Sequence, residues 1–121
     1  MQRHYDHLAT YERAGFEIVV DKTWEDLSPF DLFDDTVTDI AEIARKIDSY
    51  ELDWFMLRVR VLLDGHELGS HYVGGFLYED ARDVLHDGTA EDMIHEAMHE
   101  ARQEAQRLIG SLQRVIDTVA V

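Results

Sequence analysis

The dipeptide Asp64-Gly65 constrains the fold most strongly, because it separates two long apolar segments, residues 54–63 and 66–78. Asp-Gly is a preferred two-residue turn of β-hairpins, since both positions can take positive φ. The flanking segments contain the β-branched and aromatic residues that are typical of strands. The sequence therefore predicts an antiparallel hairpin over residues 54–78.

Pairing Leu63 with His66 sets the predicted register of this hairpin and gives it one largely apolar face. Glycines in the return strand indicate a bulge or a close backbone approach. They lack the lysine and the strand-to-helix setting of a phosphate-binding loop, so no nucleotide site is predicted. The glycines are Gly69, Gly74 and Gly75, and the further predicted pairs are Val61 with Leu68, Val59 with Ser70, Leu57 with Tyr72 and Phe55 with Gly74.

The opposite face of the predicted hairpin groups two arginines and a histidine in a strongly acidic protein. Such a group can bind an anionic ligand. It can also be a solvated sheet face whose arginines pair with nearby carboxylates, and the sequence favours this second interpretation. The residues of this face are Trp54, Met56, Arg58, Arg60, Leu62, Glu67, His71 and Val73.

Residues 89–119 predict a long amphipathic helix that packs on the sheet, because apolar side chains recur on one continuous stripe. Thr89 is expected to cap this helix, with Asp92 three residues later as in a capping box. The stripe consists of Ala90, Met93, Ile94, Ala97, Met98, Ala101, Ala105, Leu108, Ile109, Leu112, Val115, Ile116 and Val119.

The predicted helix is longer than the domain that contains it. At about 1.5 Å per residue it extends for roughly 45 Å, whereas a domain of this chain length is about 35 Å across. The helix is therefore expected to overhang, or to bend at Gly110-Ser111. Its apolar end is predicted to pack against a second copy or a target protein. This end contains Leu112, Val115, Ile116, Val119 and Val121, of which the first four are the expected homodimer contact.

The remaining segments predict one further strand and several helices. Residues 16–21 alternate as a strand does, and Ser28-Pro29-Phe30-Asp31 has the pattern of a capped helical turn. Residues 4–14, 37–50 and 79–86 are predicted helices; the second lies on the hairpin and is capped by Asp34, Asp35 or Thr36. Together these elements predict a single α+β domain over residues 1–121, with a small, mostly antiparallel sheet of three strands.

The string His95-Glu96-Ala97-Met98-His99 matches H-E-x-x-H, which places two zinc ligands and a general base on one helix. The helical positions of His95 and His99 predict exposed side chains. A zinc peptidase also needs a third ligand and a cleft between two lobes, and Glu100 replaces the uncharged residue that usually follows the motif. A zinc-dependent hydrolase with His95 and His99 as ligands is therefore the alternative, while the leading expectation is no catalytic residue, metal or cofactor.

The chain has 26 acidic and 11 basic residues, which gives a formal net charge of −15. Such a surface repels nucleic acid and anionic membrane and attracts basic proteins. It is equally compatible with the general surface acidity of proteins from a salt-loving organism. There is no cysteine, and no segment predicts a signal peptide or a membrane span, so a cytoplasmic location is expected.

In size, acidity and layout, and most of all in its hairpin over residues 54–78, the chain resembles small proteins that phages and mobile elements use against bacterial defence, such as anti-CRISPR and antirestriction proteins. This resemblance implies a non-enzymatic inhibitor that occupies a basic, nucleic-acid-binding site on a nuclease or CRISPR effector. An immunity protein, an antitoxin or a halophile housekeeping module are alternatives. The predicted contacts are exposed carboxylates in two clusters: Asp31, Asp34, Asp35, Asp39 and Glu42, and Glu91, Asp92, Glu96 and Glu100.

Overall fold

The computed structural model describes residues 3–32 and 39–119 of the chain. Four strands form one antiparallel sheet in the order β1-β2-β3-β4, so each strand pairs with its neighbour in sequence. The α+β class is as predicted, but the sheet has four strands rather than three. The strands are β1 (Asp6–Arg13), β2 (Phe16–Trp24), β3 (Asp53–Leu63) and β4 (His66–Tyr78).

Three α-helices accompany the sheet. Helices α1 (Pro29–Leu32) and α2 (Ile40–Asp48) lie between β2 and β3 in sequence, and α3 (Thr89–Val119) follows β4. A 3₁₀ turn, Ala81–Leu85, occupies the segment 79–86 that was predicted to be a short helix. No helix in the described part of the chain is long and apolar enough to cross a membrane.

The core lies between one face of the sheet and the first half of α3. Strands β3 and β4 make most of the contacts with α3. Ala101 is the last buried residue of α3 among those described, although the helix continues through Gly110 and Ser111 to Val119. The main buried residues are Ile18, Val20, Phe55, Leu57, Val59, Val61, Val84, Met93, Ile94, Ala97 and Ala101.

The β3–β4 hairpin has the predicted turn. Asp64 and Gly65 have φ angles of 50° and 82°, and Leu63 pairs with His66. The predicted register further along the hairpin is wrong, because the ladder shifts between Val61 and Leu62 and again between Phe55 and Leu57. Each bulge adds one residue to β4. The observed pairs are Val61 with Gly69, Val59 with His71, Leu57 with Val73 and Phe55 with Phe76.

Because of the bulge between Val61 and Leu62, the residues of β4 as far as Val73 lie on the opposite sheet faces from those predicted. His71 and Val73 pair with Val59 and Leu57, so they lie on the face that α3 covers. Ser70 and Tyr72 take their places on the other face, opposite the two arginines: Arg60 pairs with Ser70 and Arg58 with Tyr72. A bulge of one residue exchanges the faces of every residue that follows it, because side chains alternate along a strand.

The predicted helix at residues 4–14 is wrong, because most of that segment is strand β1. Ala14 and Gly15, with φ of 53° and 84°, form the turn into β2. The ladder between β1 and β2 is irregular between His7 and Ala9, and both Leu8 and Ala9 pack against the core. Two adjacent apolar residues hide the period-two pattern by which a strand is recognised.

The helix starts are only partly as predicted. In α1 the Ser28 hydroxyl accepts from the backbone N–H of Phe30 and Asp31 accepts from that of Ser28, at 3.1 and 3.0 Å, which confirms the capping box. Helix α2 begins at Ile40 with Asp39 as its cap, and it packs mainly against α1 instead of lying on the hairpin. Thr89 is already helical, and its N–H donates to the Asp87 carboxylate at 2.9 Å. The residues first expected to cap and begin α2, Asp34, Asp35, Thr36 and Val37, lie outside the described residues.

Candidate partner-binding surface

The first predicted acidic cluster is largely engaged in local structure. Asp31 accepts the hydrogen bond from the backbone of Ser28 in α1, and Asp39 accepts from the N–H of Glu42 at 3.1 Å as the cap of α2. The Arg45 guanidinium donates to Glu42 at 2.6 Å, and this hydrogen bond holds the pKa of Glu42 below its usual value. The other two members of the cluster, Asp34 and Asp35, lie outside the described residues.

Glu91, the first residue of the second cluster, is also engaged. Arg13 in β1 donates to both Glu91 oxygens, with the longer contact at 2.8 Å. Nε2 of His95 lies 3.2 Å from one of the same oxygens. The hydrogen bond from Arg13 is the main cause that lowers the pKa of Glu91. The carboxylate therefore ties α3 to the edge strand of the sheet.

The remaining three carboxylates of the second cluster form what we call the acidic row, which consists of Asp92, Glu96 and Glu100. All three are exposed, and no ion pair or side-chain hydrogen bond joins them to another residue in ranges 3–32 and 39–119. They follow one another at four-residue spacing, which is about 6 Å of helix per step. The row is thus a line of negative charge without counter-ions along α3.

An acidic groove continues this row between α3 and the start of β4. It has a volume of about 350 Å³ and is lined by Glu67, Leu68, Gly69, Glu100, Gln103, Glu104 and Arg107. Arg107 pairs with Glu104 at 2.5 Å. Glu67 and Glu100, by contrast, have no cationic partner among the described residues. The groove therefore keeps an excess of negative charge. Sequence reasoning missed Glu67 as a member of this surface, because its position beside α3 depends on the tertiary packing.

The other flank of α3 carries two arginines and two histidines, together with Glu91, which pairs with Arg13. A shallow cavity of about 360 Å³ is lined there by Arg13, Ile94, His95, Met98, His99 and Arg102. Both imidazoles are exposed, which confirms the prediction that they point away from the core. The described ranges bring no three metal-binding side chains together. Zinc hydrolysis at His95 and His99 therefore stays a prediction, and in this structure the two histidines lie on the flank of α3 next to β1.

A cluster centred on Asp21 lies on the sheet face opposite α3. This buried carboxylate accepts from Arg58 at 2.6 Å and from Arg60 at 3.3 Å, and Nδ1 of His7 lies 3.3 Å away. The Arg58 guanidinium carbon lies 3.4 Å from the centre of the Tyr5 ring. The interpretation that the arginines pair with a carboxylate agrees with these contacts. The histidine beside them is His7 rather than His71, because His71 faces α3.

Comparisons with protein-family models, with curated proteins and with solved structures find no match for the chain. The acidic row and the acidic groove next to β4 are therefore the features from which a function can be argued.

The Glu91–Arg13 pair should make a pH-dependent contribution to stability. The folded-state pKa of Glu91 is lowered, so its contribution is present above the ordinary glutamate pKa of about 4.3 and is lost as the pH falls through the folded value. Both side chains are about two-fifths exposed, so we expect Glu91→Gln to cost only about 0.5 kcal/mol at pH 7. Urea unfolding at several pH values should show this difference shrinking towards acid; a constant difference would contradict the ion pair.

Proposed function

We propose that this protein is a non-enzymatic binding protein that occupies a basic, nucleic-acid-binding site on another protein. The observation that carries the proposal is the acidic row, Asp92, Glu96 and Glu100, whose carboxylates have no counter-ions among the described residues. Glu42 and Glu91, members of the same predicted clusters, each pair with an arginine. A row without partners is available to cations on another molecule.

The scaffold beneath the row supports this use. The same turns of α3 bury Met93, Ile94, Ala97 and Ala101 against the sheet, so the carboxylates stand on a fixed surface. A rigid surface loses little conformational freedom on binding, because its backbone is already ordered before the partner arrives. The regular spacing of the row suits a partner that normally holds a regular line of phosphates.

The acidic groove supplies a specific feature within this charged surface. Its volume of about 350 Å³ admits the end of an arginine or lysine side chain from the partner. Glu67 and Glu100 are among its lining residues, one from β4 and one from α3, so a cation in the groove has an acidic residue on each side. Arginine is the expected occupant, since its planar guanidinium can donate to two carboxylates at once.

The sign of the charges also orients the partner. The formal charge of −15 attracts a basic protein over a long range. At close range Arg102, which has no ion-pair partner among the described residues, repels that partner from the β1 side of α3. The partner is thus directed to the β4 side. A nuclease or a guide-RNA effector has the required basic surface, and so does a toxin neutralised by an immunity protein or antitoxin.

The proposal is tested by reversing charge in the acidic row. The double variant Glu96→Lys/Glu100→Lys should weaken binding to such a nuclease or effector by at least about tenfold, which corresponds to about 1.4 kcal/mol. Binding by the wild type should weaken steeply with added salt and should be displaced by the partner's own nucleic acid. Affinities are measured by calorimetry, and nuclease activity is followed in parallel.

The matched control is Glu12→Lys/Glu17→Lys. These two carboxylates are exposed, pair with each other across β1 and β2, and lie on the sheet face away from α3, so the control changes the net charge equally. Only the α3 variant should lose binding. Equal loss in both double variants would mean that bulk acidity acts alone, as in a halophile protein, and a complex insensitive to nucleic acid would contradict occupation of a nucleic-acid site.

A further inference from the structure

We propose that the exposed end of α3 forms an antiparallel helix pair with the same segment of a second copy of this chain. We call this segment, residues 105–119, the tail. It extends beyond Ala101, the last buried residue of the described helix. Leu108 is half-buried, and the other large apolar side chains of the tail are more than half exposed to solvent: Ile109, Leu112, Val115, Ile116 and Val119, at 68%, 57%, 58%, 58% and 75%.

The tail has the residue spacing of a helix-pairing surface. Apolar residues recur at alternating intervals of three and four, which is the heptad pattern of a coiled-coil seam. Two isoleucines widen the seam on one side. The seam also continues, without a break in the helix, the stripe that packs Ile94 and Ala101 against the sheet. The seam residues are Ala105, Leu108, Leu112, Val115 and Val119, flanked by Ile109 and Ile116.

The size of this surface is sufficient for a specific contact between two copies. Covering both tails over two heptads buries on the order of 1,000 Å² in total, which lies at the lower end of specific protein interfaces. A contiguous apolar surface of this kind is rarely left exposed on a monomer. The start of the tail lies beside β4, where Ala105 and Leu108 are half-buried, but its apolar side chains from Ile109 onward are exposed in the described structure.

The charge distribution identifies a second copy as the occupant. The tail contains Arg107, Arg114 and Asp117, so it lacks the acidic excess that the rest of the chain carries. The side chains that flank the seam, Ser111 and Gln113, are uncharged. Two tails can therefore approach without repulsion. A basic partner would be drawn instead to the acidic row, and an acidic partner would be repelled by the body of the protein.

The same charges select the antiparallel arrangement. A parallel pair would bring two strongly acidic domains side by side at one end, whereas an antiparallel pair places them at opposite ends. The midpoint of the tail is Leu112, so the symmetric register places Leu112 against Leu112 of the second copy. Leu108 then faces Ile116 of the second copy, and the contact is isologous and closed.

Sedimentation equilibrium of the full chain tests the pair. We expect the dimer to predominate at about 100 µM and above, and at least a hundredfold weaker association in Leu112→Glu. This variant should still fold, because the tail contributes no buried residue to the described core. The control Arg114→Gln makes the same change in net charge on the opposite side of the helix and should remain dimeric. A monomeric wild type, or a Leu112→Glu variant that still dimerises, would overturn the proposal.

Oxidative cross-linking tests the relative orientation of the two tails. The chain has no cysteine of its own, so a disulfide can form only between the introduced residues. A mixture of Leu108→Cys and Ile116→Cys should give a disulfide between the two variants. Cross-linking of each variant to itself would show a parallel pair and overturn the antiparallel arrangement. Glu96→Lys/Glu100→Lys should leave dimerisation unchanged, so failure of the partner-binding proposal is distinguishable from failure of this one.

Discussion

Asp21→Ala is expected to lower the free energy of unfolding by about 3–5 kcal/mol, because it leaves two buried or half-buried arginines without their counter-ion. The Asp21 side chain is 5% exposed, and those of Arg58 and Arg60 are 15% and 28% exposed. Each arginine already has a buried Nε without a hydrogen-bond partner. A loss of this size is a large part of the 5–15 kcal/mol that typically stabilises a domain.

Chemical denaturation with a control on the same strand measures this effect. Glu17 lies on the same sheet face as Asp21 but is exposed, so Glu17→Ala should change stability by less than about 0.5 kcal/mol. Replacing Asp21, Arg58 and Arg60 together by apolar residues of similar size should restore much of the stability, since none of these charges is then buried. A cost below about 1 kcal/mol for Asp21→Ala would mean that water reaches both arginines.

Gly69→Ala is expected to destabilise the protein by about 3 kcal/mol, at the upper end of overpacking effects. A Cβ at this position would lie 2.4 Å from the carbonyl oxygen of Ala97 and 2.8 Å from the nitrogen of Ala101. Both are backbone atoms of α3, so relief requires the helix to move away from β4. Ala97 and Ala101 are fully buried, and the movement would loosen the core around them.

Gly110→Ala is the matched control, since it adds the same methyl group to a glycine that lies within α3. The nearest atom to a Cβ there is Nη1 of Arg114, at 3.9 Å. Alanine favours the helix over glycine by about 0.5–1 kcal/mol, so this variant should be slightly more stable than the wild type. Thermal unfolding of the two variants side by side provides the comparison; equal stability would argue against the close approach of α3 to β4.

Local chemistry allowed much of this fold to be predicted from the sequence. The turn at Asp64-Gly65, the capping box of Ser28 and Asp31, and the stripe that buries Ile94 and Ala101 each depend on residues close together in the chain. Signals of this kind do not require knowledge of the tertiary structure. The exposed end of α3 could be predicted in the same way, because the length of a helix follows directly from its number of residues.

The predictions for β1 and β4 were wrong because a single residue interrupts the two-residue alternation of side chains along each strand. Leu8 interrupts the alternation of β1, and the extra residues in β4 move His71 and Tyr72 to opposite faces from those predicted. A bulge leaves only a weak trace in the sequence, here the glycines of β4. Gly69 lies at a bulge and at a close approach of the α3 backbone, as predicted. The presence of a glycine does not, however, predict how many residues a bulge inserts.

The sequence predicted which carboxylates lie on the candidate surface. It did not show which of them lack an ion-pair partner. Glu91 and Glu96 look alike in sequence, yet only Glu91 has an arginine beside it. That arginine, Arg13, is distant in the chain and lies in a strand that was predicted to be a helix. The groove beside Glu67 likewise requires the packing of α3 on β4, which helical and strand patterns do not specify.

The pairing of each strand with its sequence neighbour also has a consequence for the route by which the chain folds. The turns at Ala14-Gly15 and Asp64-Gly65 allow two hairpins to close independently, on a timescale of about 1–10 µs. Joining them requires closure of the long connection between β2 and β3, which costs more entropy. Because only a short segment with one 3₁₀ turn separates α3 from β4, and α3 packs on β3 and β4, residues 53–101 can assemble as one unit to which the β1–β2 hairpin is added last.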